Sequence, residues 1–146
     1  MTTHVLANTT RSVNALNKRI NGTAPVLVLF WAQWCPHCVS MKPEWGELKA
    51  RMGGTNLSIN EIEHSVLEFI RSNNLAPYAN VFGYPTIIMF SNQGRSQYLG
   101  PRDAASMEAW VRGFDVKPVV PRRPRSARPA RAGAGTKKRS RPPTGS

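Results

Sequence analysis

An α/β sandwich over residues 1–115, trailed by a basic and disordered segment over 116–146, is the architecture this sequence predicts. Strand-like apolar runs alternate with amphipathic helix-like segments, which is the pattern of layered α/β chains. One continuous apolar run, Val26 to Ala32, reads as a strand covered on both faces and so marks the middle of a sheet. From Val116 onward the aromatics vanish, and ten Lys and Arg stand without a single Asp or Glu. That segment carries ten of the twelve net positive charges and leaves the body nearly balanced. It buries too little apolar surface to offset the entropy of ordering its backbone, so disorder is expected.

Each element of the body has a local reason. His4 to Ala7 is extended in character and predicts a short first strand. Val13, Leu16 and Ile20 recur at helical spacing, with Gly22 placed to end the helix. Pro25 leads into the central strand. The stretch from Cys35 to Met52 carries Met41, Trp45 and Leu48 on one helical face, with Pro43 as an expected kink. Asn56 to Glu63 resumes an extended pattern, Leu57 and Ile59 alternating with polar neighbours. Ser65 with Glu68 fits a capping box ahead of a helix through Ile70. Thr86 to Phe90 reads as a second apolar strand after Tyr84-Pro85, and Asn92-Gln93-Gly94 turns it into a hairpin with Ser96 to Leu99. Asp103 caps a last helix that gathers Met107, Trp110, Val111 and Phe114 on one side.

Several function classes are bounded by what the sequence contains. Met1 to Ala7 has no cationic stretch followed by an apolar core, so no secretory signal is read and a cytoplasmic location is expected. The longest apolar run is far too short to span a bilayer. Lys137-Lys138-Arg139-Ser140-Arg141 matches a nuclear localisation pattern, and the whole basic segment suits weak, non-specific contact with nucleic-acid phosphates. A solubilising extension accounts for the same charges equally well.

The two cysteines, Cys35 and Cys38, lie where the central strand hands over to a helix, in Trp34-Cys35-Pro36-His37-Cys38. Unpaired backbone N–H groups and the helix dipole favour negative charge there, so a thiolate at Cys35 is stabilised and is the nucleophile. Cys38, one turn later, can reach the same sulfur and resolve a mixed disulfide. Pro36 presets φ in the first turn, and His37 adds a donor or a positive charge beside the thiolate. Half of a zinc site is the competing reading, but only His4, His37 and His64 remain as further soft ligands, and no metal is assigned. A purely structural disulfide would close too small a loop to constrain much chain entropy.

The motifs from Val26 to Arg102 resemble the thioredoxin and protein disulfide isomerase superfamily. Val28-Leu29-Phe30-Trp31-Ala32-Gln33-Trp34-Cys35 is similar to the family's strand leading into its active site. Pro43, five residues after Cys38, matches its helix-kinking proline. Gly83-Tyr84-Pro85-Thr86 resembles its cis-proline loop, and Tyr98, Gly100 and Arg102 resemble its Tyr-x-Gly-x-Arg pattern. The resemblance implies a thioredoxin fold, with a central mixed sheet flanked by helices. It also implies disulfide exchange with protein thiols and disulfides, with no organic cofactor and in a monomer. By the same resemblance Pro85 is cis and faces the dithiol, and the backbone beside it accepts an extended substrate segment, with Tyr84, Pro85 and Pro36 read as substrate contacts; Trp34, with Trp31, offers an apolar platform beside the dithiol, for which core packing is the competing reading.

Two departures modify that expectation. Pro36-His37 between the cysteines resembles the pair in bacterial disulfide-forming enzymes of the DsbA type. This predicts a stronger oxidant than thioredoxin, nearer roughly −120 to −200 mV than −270 mV. Leu29 stands where the family usually has a buried acid, six residues before the first cysteine, that moves protons to and from the resolving thiol. Proton transfer at Cys38 is then left to water, to His37 or to an acid elsewhere, and Leu29→Asp is expected to speed it. His64 receives no role. The alternative function is a redox-sensing or interaction module of the same fold, tethered to nucleic acid by the basic segment.

Overall fold

The computed structural model describes residues 1–76 and 80–119. Residues 120–146, most of the segment expected to be disordered, lie outside the described residues. Strands β1 (Thr2–Val5), β2 (Val26–Trp31), β3 (Ser58–Glu63), β4 (Thr86–Ser91) and β5 (Gly94–Gln97) form one sheet in the order β1-β3-β2-β4-β5. β1, β3 and β2 run parallel, and β4 and β5 are antiparallel additions. Helices α1 (Thr10–Ile20), α2 (Pro36–Arg51), α3 (His64–Ser72) and α4 (Ala104–Val111) cover the sheet. The sheet is therefore mixed and central, as the sequence predicts, and none of the described helices is long and apolar enough to cross a membrane.

β2 sits at the sheet centre because its side chains are apolar on both faces. Val26, Val28 and Phe30 pack with Val13 and Leu16 of α1 and with Val66, Leu67 and Ile70 of α3. Leu27 and Leu29 face the other way, onto Met41, Trp45 and Leu48 of α2 and Met107 and Val111 of α4. The two cores thus share one strand. Its C-terminal end points at the start of α2, which is where the cysteines lie.

Three details differ from the sequence reading. The capping box of Ser65 and Glu68 does not form. Glu63 is the N-cap of α3, its carboxylate accepting from Ser65 N at 2.8 Å, while Glu68 pairs with Arg71 at 2.6 Å. A carboxylate placed two residues earlier reaches the same unpaired N–H groups, so the longer-range pairing is not needed. The first strand begins at Thr2 rather than His4, because pairing with Ser58 to Glu61 sets its register. The ordered chain also continues past Asp115: Asn56 N donates to Lys117 O at 2.9 Å, Lys117 N to Asn56 Oδ1 at 2.8 Å and Val119 N to Gly54 O at 2.7 Å. This contact lies just before the start of β3, at the end of the sheet away from the cysteines.

Candidate functional site

Cys35 is the N-cap of α2, in extended backbone, and Pro36 occupies the first helical position. Val39 N donates to Cys35 O at 3.1 Å and begins the helical ladder. An N-cap side chain is the usual acceptor for the N–H groups two and three residues on, here those of His37 and Cys38. The neutral thiol makes no such bond; the thiolate draws on both. Proline at the first position has no N–H to leave unpaired, so the local sequence fits the geometry.

Electrostatics divide the two sulfurs. Burial pushes the Cys35 thiol up, but a hydrogen bond from Cys38, the backbone N–H groups of Cys38 and His37, and the charge of Arg102 outweigh it and hold Cys35 below an ordinary thiol. Cys38 is pushed up to about 11, first by burial, then by its hydrogen bond to Cys35 and the negative charge of that sulfur. Both cysteines are free and buried. Cys35 is therefore the sulfur that gives up its proton more readily and acts as nucleophile, and Cys38 the one that keeps its proton in reserve.

The loop before β4 closes over this pair. The Tyr84–Pro85 peptide bond is cis, as the resemblance implies, and Cys35 Sγ donates to Tyr84 O at 3.6 Å. Thr86 Oγ1 donates to Gly83 O at 2.7 Å and ties the loop to the start of β4, while Tyr98 N donates to Ile87 O at 2.8 Å and extends the hairpin pairing. Pro85 also borders a narrow apolar cleft shared by Cys38, Leu29, Trp31, Met41, Lys42 and Trp45, with no space for a water molecule. On its other side Pro85 lines a cavity of about 130 Å³ together with Ile87, Leu99 and Arg102.

The structure brings together Cys35, Cys38, Tyr84 and Pro85, and it leaves Pro36 and His37 on the exposed flank. His37 contributes its backbone N–H to the Cys35 sulfur. Trp34 is 63% exposed beside the dithiol. Trp31 is turned inward, with the Lys42 ammonium 3.7 Å from its ring centre. His4, on β1, stands apart, and among the described residues no three His, Cys, Asp or Glu gather to hold a metal.

Two residues received no role in the sequence reading. Glu61 faces Leu29 directly across β3 and β2, and it is buried at 7% exposure in the core on the α2 side. Its carboxylate accepts from Trp45 Nε1 at 3.0 Å and from Lys49 Nζ at 2.8 Å. A carboxyl group is thus present beside position 29, with Trp45 standing between it and the Cys38 cleft. The odd-numbered alternation of Leu57, Ile59 and Glu61 puts this acid on the same face as its apolar neighbours, a signal the sequence did offer. The other is His64, whose Nδ1 lies 2.9 Å from the Tyr84 hydroxyl. No sequence spacing connects those two positions.

Comparison with known proteins adds to this geometry. The sequence profile of the thioredoxin family matches residues 7–113. Over 95 residues the chain is 33% identical to Protein disulfide-isomerase 1 of Caenorhabditis elegans, spanning 64% of this chain and 19% of that protein. Over 90 residues it is 31% identical to Protein disulfide-isomerase A2 of Homo sapiens, spanning 60% and 17%. The chain therefore corresponds to less than a fifth of the length of these curated relatives. Among solved structures, the J-Trx1 fragment of ERdj5 matches with a TM-score of 0.60 at 22% identity, covering 76% of this chain and 50% of the fragment. The first thioredoxin domain of mouse Protein disulfide-isomerase A4 matches at 0.58 and 22% identity, covering 88% and 86%. Identities this low speak for the fold alone.

Proposed function

The chain belongs to the thioredoxin family and to its thiol-disulfide oxidoreductases, and we propose that it exchanges disulfides with protein substrates through Cys35 and Cys38. The observation that carries this reading is the dithiol at the N-terminus of α2 facing the cis Tyr84–Pro85 loop, in surroundings that lower Cys35 and push Cys38 up to about 11. In the reducing direction the Cys35 thiolate attacks one sulfur of a substrate disulfide. That S–S bond breaks, a mixed disulfide forms, and one substrate sulfur leaves as thiolate. Cys38 then loses its proton and attacks the Cys35 sulfur, which releases the second substrate thiolate. Two electrons have passed from the dithiol to the substrate, and the enzyme is left with a Cys35–Cys38 disulfide. The reverse sequence oxidises a substrate dithiol.

In this reading the substrate lies extended along Tyr84 and Pro85, with Trp34 and Pro36 beside it. His37 supports the thiolate through its backbone N–H. Pro36-His37 and the stabilised thiolate favour the reduced enzyme, so its disulfide is a stronger oxidant than that of thioredoxin. Insulin reduction and refolding of a scrambled protein, comparing the native chain with Cys35→Ser, test the activity; equal rates would overturn it. Equilibration against glutathione tests the potential, and a value at or below about −270 mV would overturn that part.

The ten cations of residues 116–146, with no acid among them, favour a second reading: a redox-sensing or interaction module held on nucleic acid. Affinity for DNA that falls steeply with salt would support it. Absence of binding at low salt would end it.

A further inference from the structure

Three aromatic rings from three separate segments meet beside Cys35. Trp34 comes from the loop before α2, His64 from the first position of α3, and Tyr84 from the loop before β4. Their ring centres are 5.5 Å (Trp34 to His64), 5.9 Å (Trp34 to Tyr84) and 5.6 Å (His64 to Tyr84) apart. The planes cross at 75°, 83° and 88°, so each ring meets the others edge-on, the arrangement the ring quadrupoles favour. His64 Nδ1 and the Tyr84 hydroxyl are joined by a 2.9 Å hydrogen bond. Tyr84 therefore holds His64 with its phenol and the Cys35 sulfur with its carbonyl.

We propose that His64 is a positioning residue that fixes Tyr84 and Trp34 as one wall of the substrate cleft, so that the dithiol prefers peptides with an aromatic side chain next to the reacting cysteine. The inference rests on the reading of Trp34 and Tyr84 as substrate contacts and goes beyond it by assigning what holds them and what they select. The argument starts from Trp34. A tryptophan that is 63% exposed is an apolar surface left open. It is nonetheless held from two sides by rings that are themselves only half-exposed. A side chain fixed before its partner arrives loses little rotamer freedom on binding, which is the property of an interface anchor. The part of the wall left open is the Trp34 ring, so its complement is a flat apolar group that can stack on Trp34 or meet it edge-on. Glu63 strengthens the same arrangement: its carboxylate caps α3 through Ser65 and also accepts from Gln33 N at 3.4 Å. The helix start that presents His64 thereby also ties down the residue before Trp34.

The test uses the full chain and two short peptide disulfides that differ only in Phe or Ser beside the cysteine. The native protein is expected to prefer the Phe peptide by about threefold to tenfold, mostly through KM. In His64→Ala that preference falls toward one, while alkylation of Cys35 by iodoacetamide stays within about twofold, the factor that a few tenths of a kcal/mol represents. Tyr84→Phe, which removes only the hydroxyl, is expected to lose part of the same preference. The double variant is expected to lose less than the sum of the two single losses, because His64→Ala and Tyr84→Phe break the same bond, the Tyr84 hydroxyl having Arg71 as a further partner. His64→Asn, which keeps a polar atom near the place of Nδ1, recovers part of it. Equal loss for both peptides and iodoacetamide would overturn the inference, as would additive losses or a native protein without preference. A native protein no more reactive than Cys35→Ser towards either peptide would instead overturn the proposed function itself.

Discussion

Replacing Cys38 with alanine removes one of the donors that hold the Cys35 thiol below its ordinary pKa while leaving the backbone of α2 intact. Burial alone would raise the Cys35 thiol; the Cys38 side chain, two backbone N–H groups and Arg102 reverse this. A hydrogen bond to a charged acceptor is worth about 1.5–3 kcal/mol net, and a thiol is a weak donor, so the lower figure applies. At about 1.4 kcal/mol per pKa unit, the loss raises Cys35 by about one unit. Alkylation of Cys35 by iodoacetamide, followed from pH 4 to 10 in the native chain and in Cys38→Ala, reads this directly. Cys38→Ser keeps a hydroxyl donor and should shift the curve less. A Cys35 titration in Cys38→Ala at or below that of the native protein would refute the reasoning, because thiolate stabilisation would then come from the helix N–H groups and Arg102 alone.

Other measurements bear on the buried groups. Cys38 stays protonated in the fold up to about 11 but ionises near 9.0 in the unfolded chain, so from pH 9 upward the native state holds the extra proton and stability falls as pH rises. The reduced protein should lose about 3 kcal/mol between pH 9 and 11, measured by urea unfolding, and Cys38→Ala should lose that slope; an unchanged slope would count against a raised Cys38. Glu61→Ala leaves the buried Trp45 N–H without its acceptor and Lys49 without its partner, at a cost of about 3 kcal/mol, while Glu61→Gln keeps an acceptor and should cost about half. A Glu61→Ala midpoint equal to the native one would show that the network contributes nothing. Leu29→Asp sets a second carboxyl opposite Glu61 across strands about 4.8 Å apart, where repulsion and burial keep the new group protonated. Its folded pKa is then above its unfolded value, so stability should fall as pH rises above about 4; a variant equally stable at pH 5 and 8 would contradict this. Rapid-quench analysis of the mixed disulfide in the same variant checks whether resolution by Cys38 becomes faster.

What the sequence made legible was what local chemistry determines. The run from Val26 to Trp31 had to be a central strand because it is apolar on both faces, and the structure packs it into both cores. Cys35 and Cys38 declared themselves by spacing, and Asp103 caps α4 through Ser106 N at 2.8 Å. The rest depended on contacts between distant segments. The alternation of Leu57, Ile59 and Glu61 puts Glu61 on the apolar face of its strand, but only the register places it against Leu29 and beside Trp45. Asn60 is likewise fully buried in a strand that looks polar, its amide donating to Leu27 O at 3.2 Å and its carbonyl accepting from Arg19 at 2.8 Å. His64 acquires its neighbours only when the loop before β4 returns to the dithiol. The pairing of Lys117 and Val119 with Gly54 to Asn56 has no periodicity to announce it.

That last pairing fixes residues 117–119 at the end of the sheet opposite the dithiol. Val119 is fastened beside Gly54, just ahead of β3, whereas the sulfurs lie beyond the far tip of β2, and the six residues of either strand span about 20 Å. The last described residues and the reactive sulfurs thus occupy opposite poles of the sheet, and a contact made at one leaves the other uncovered.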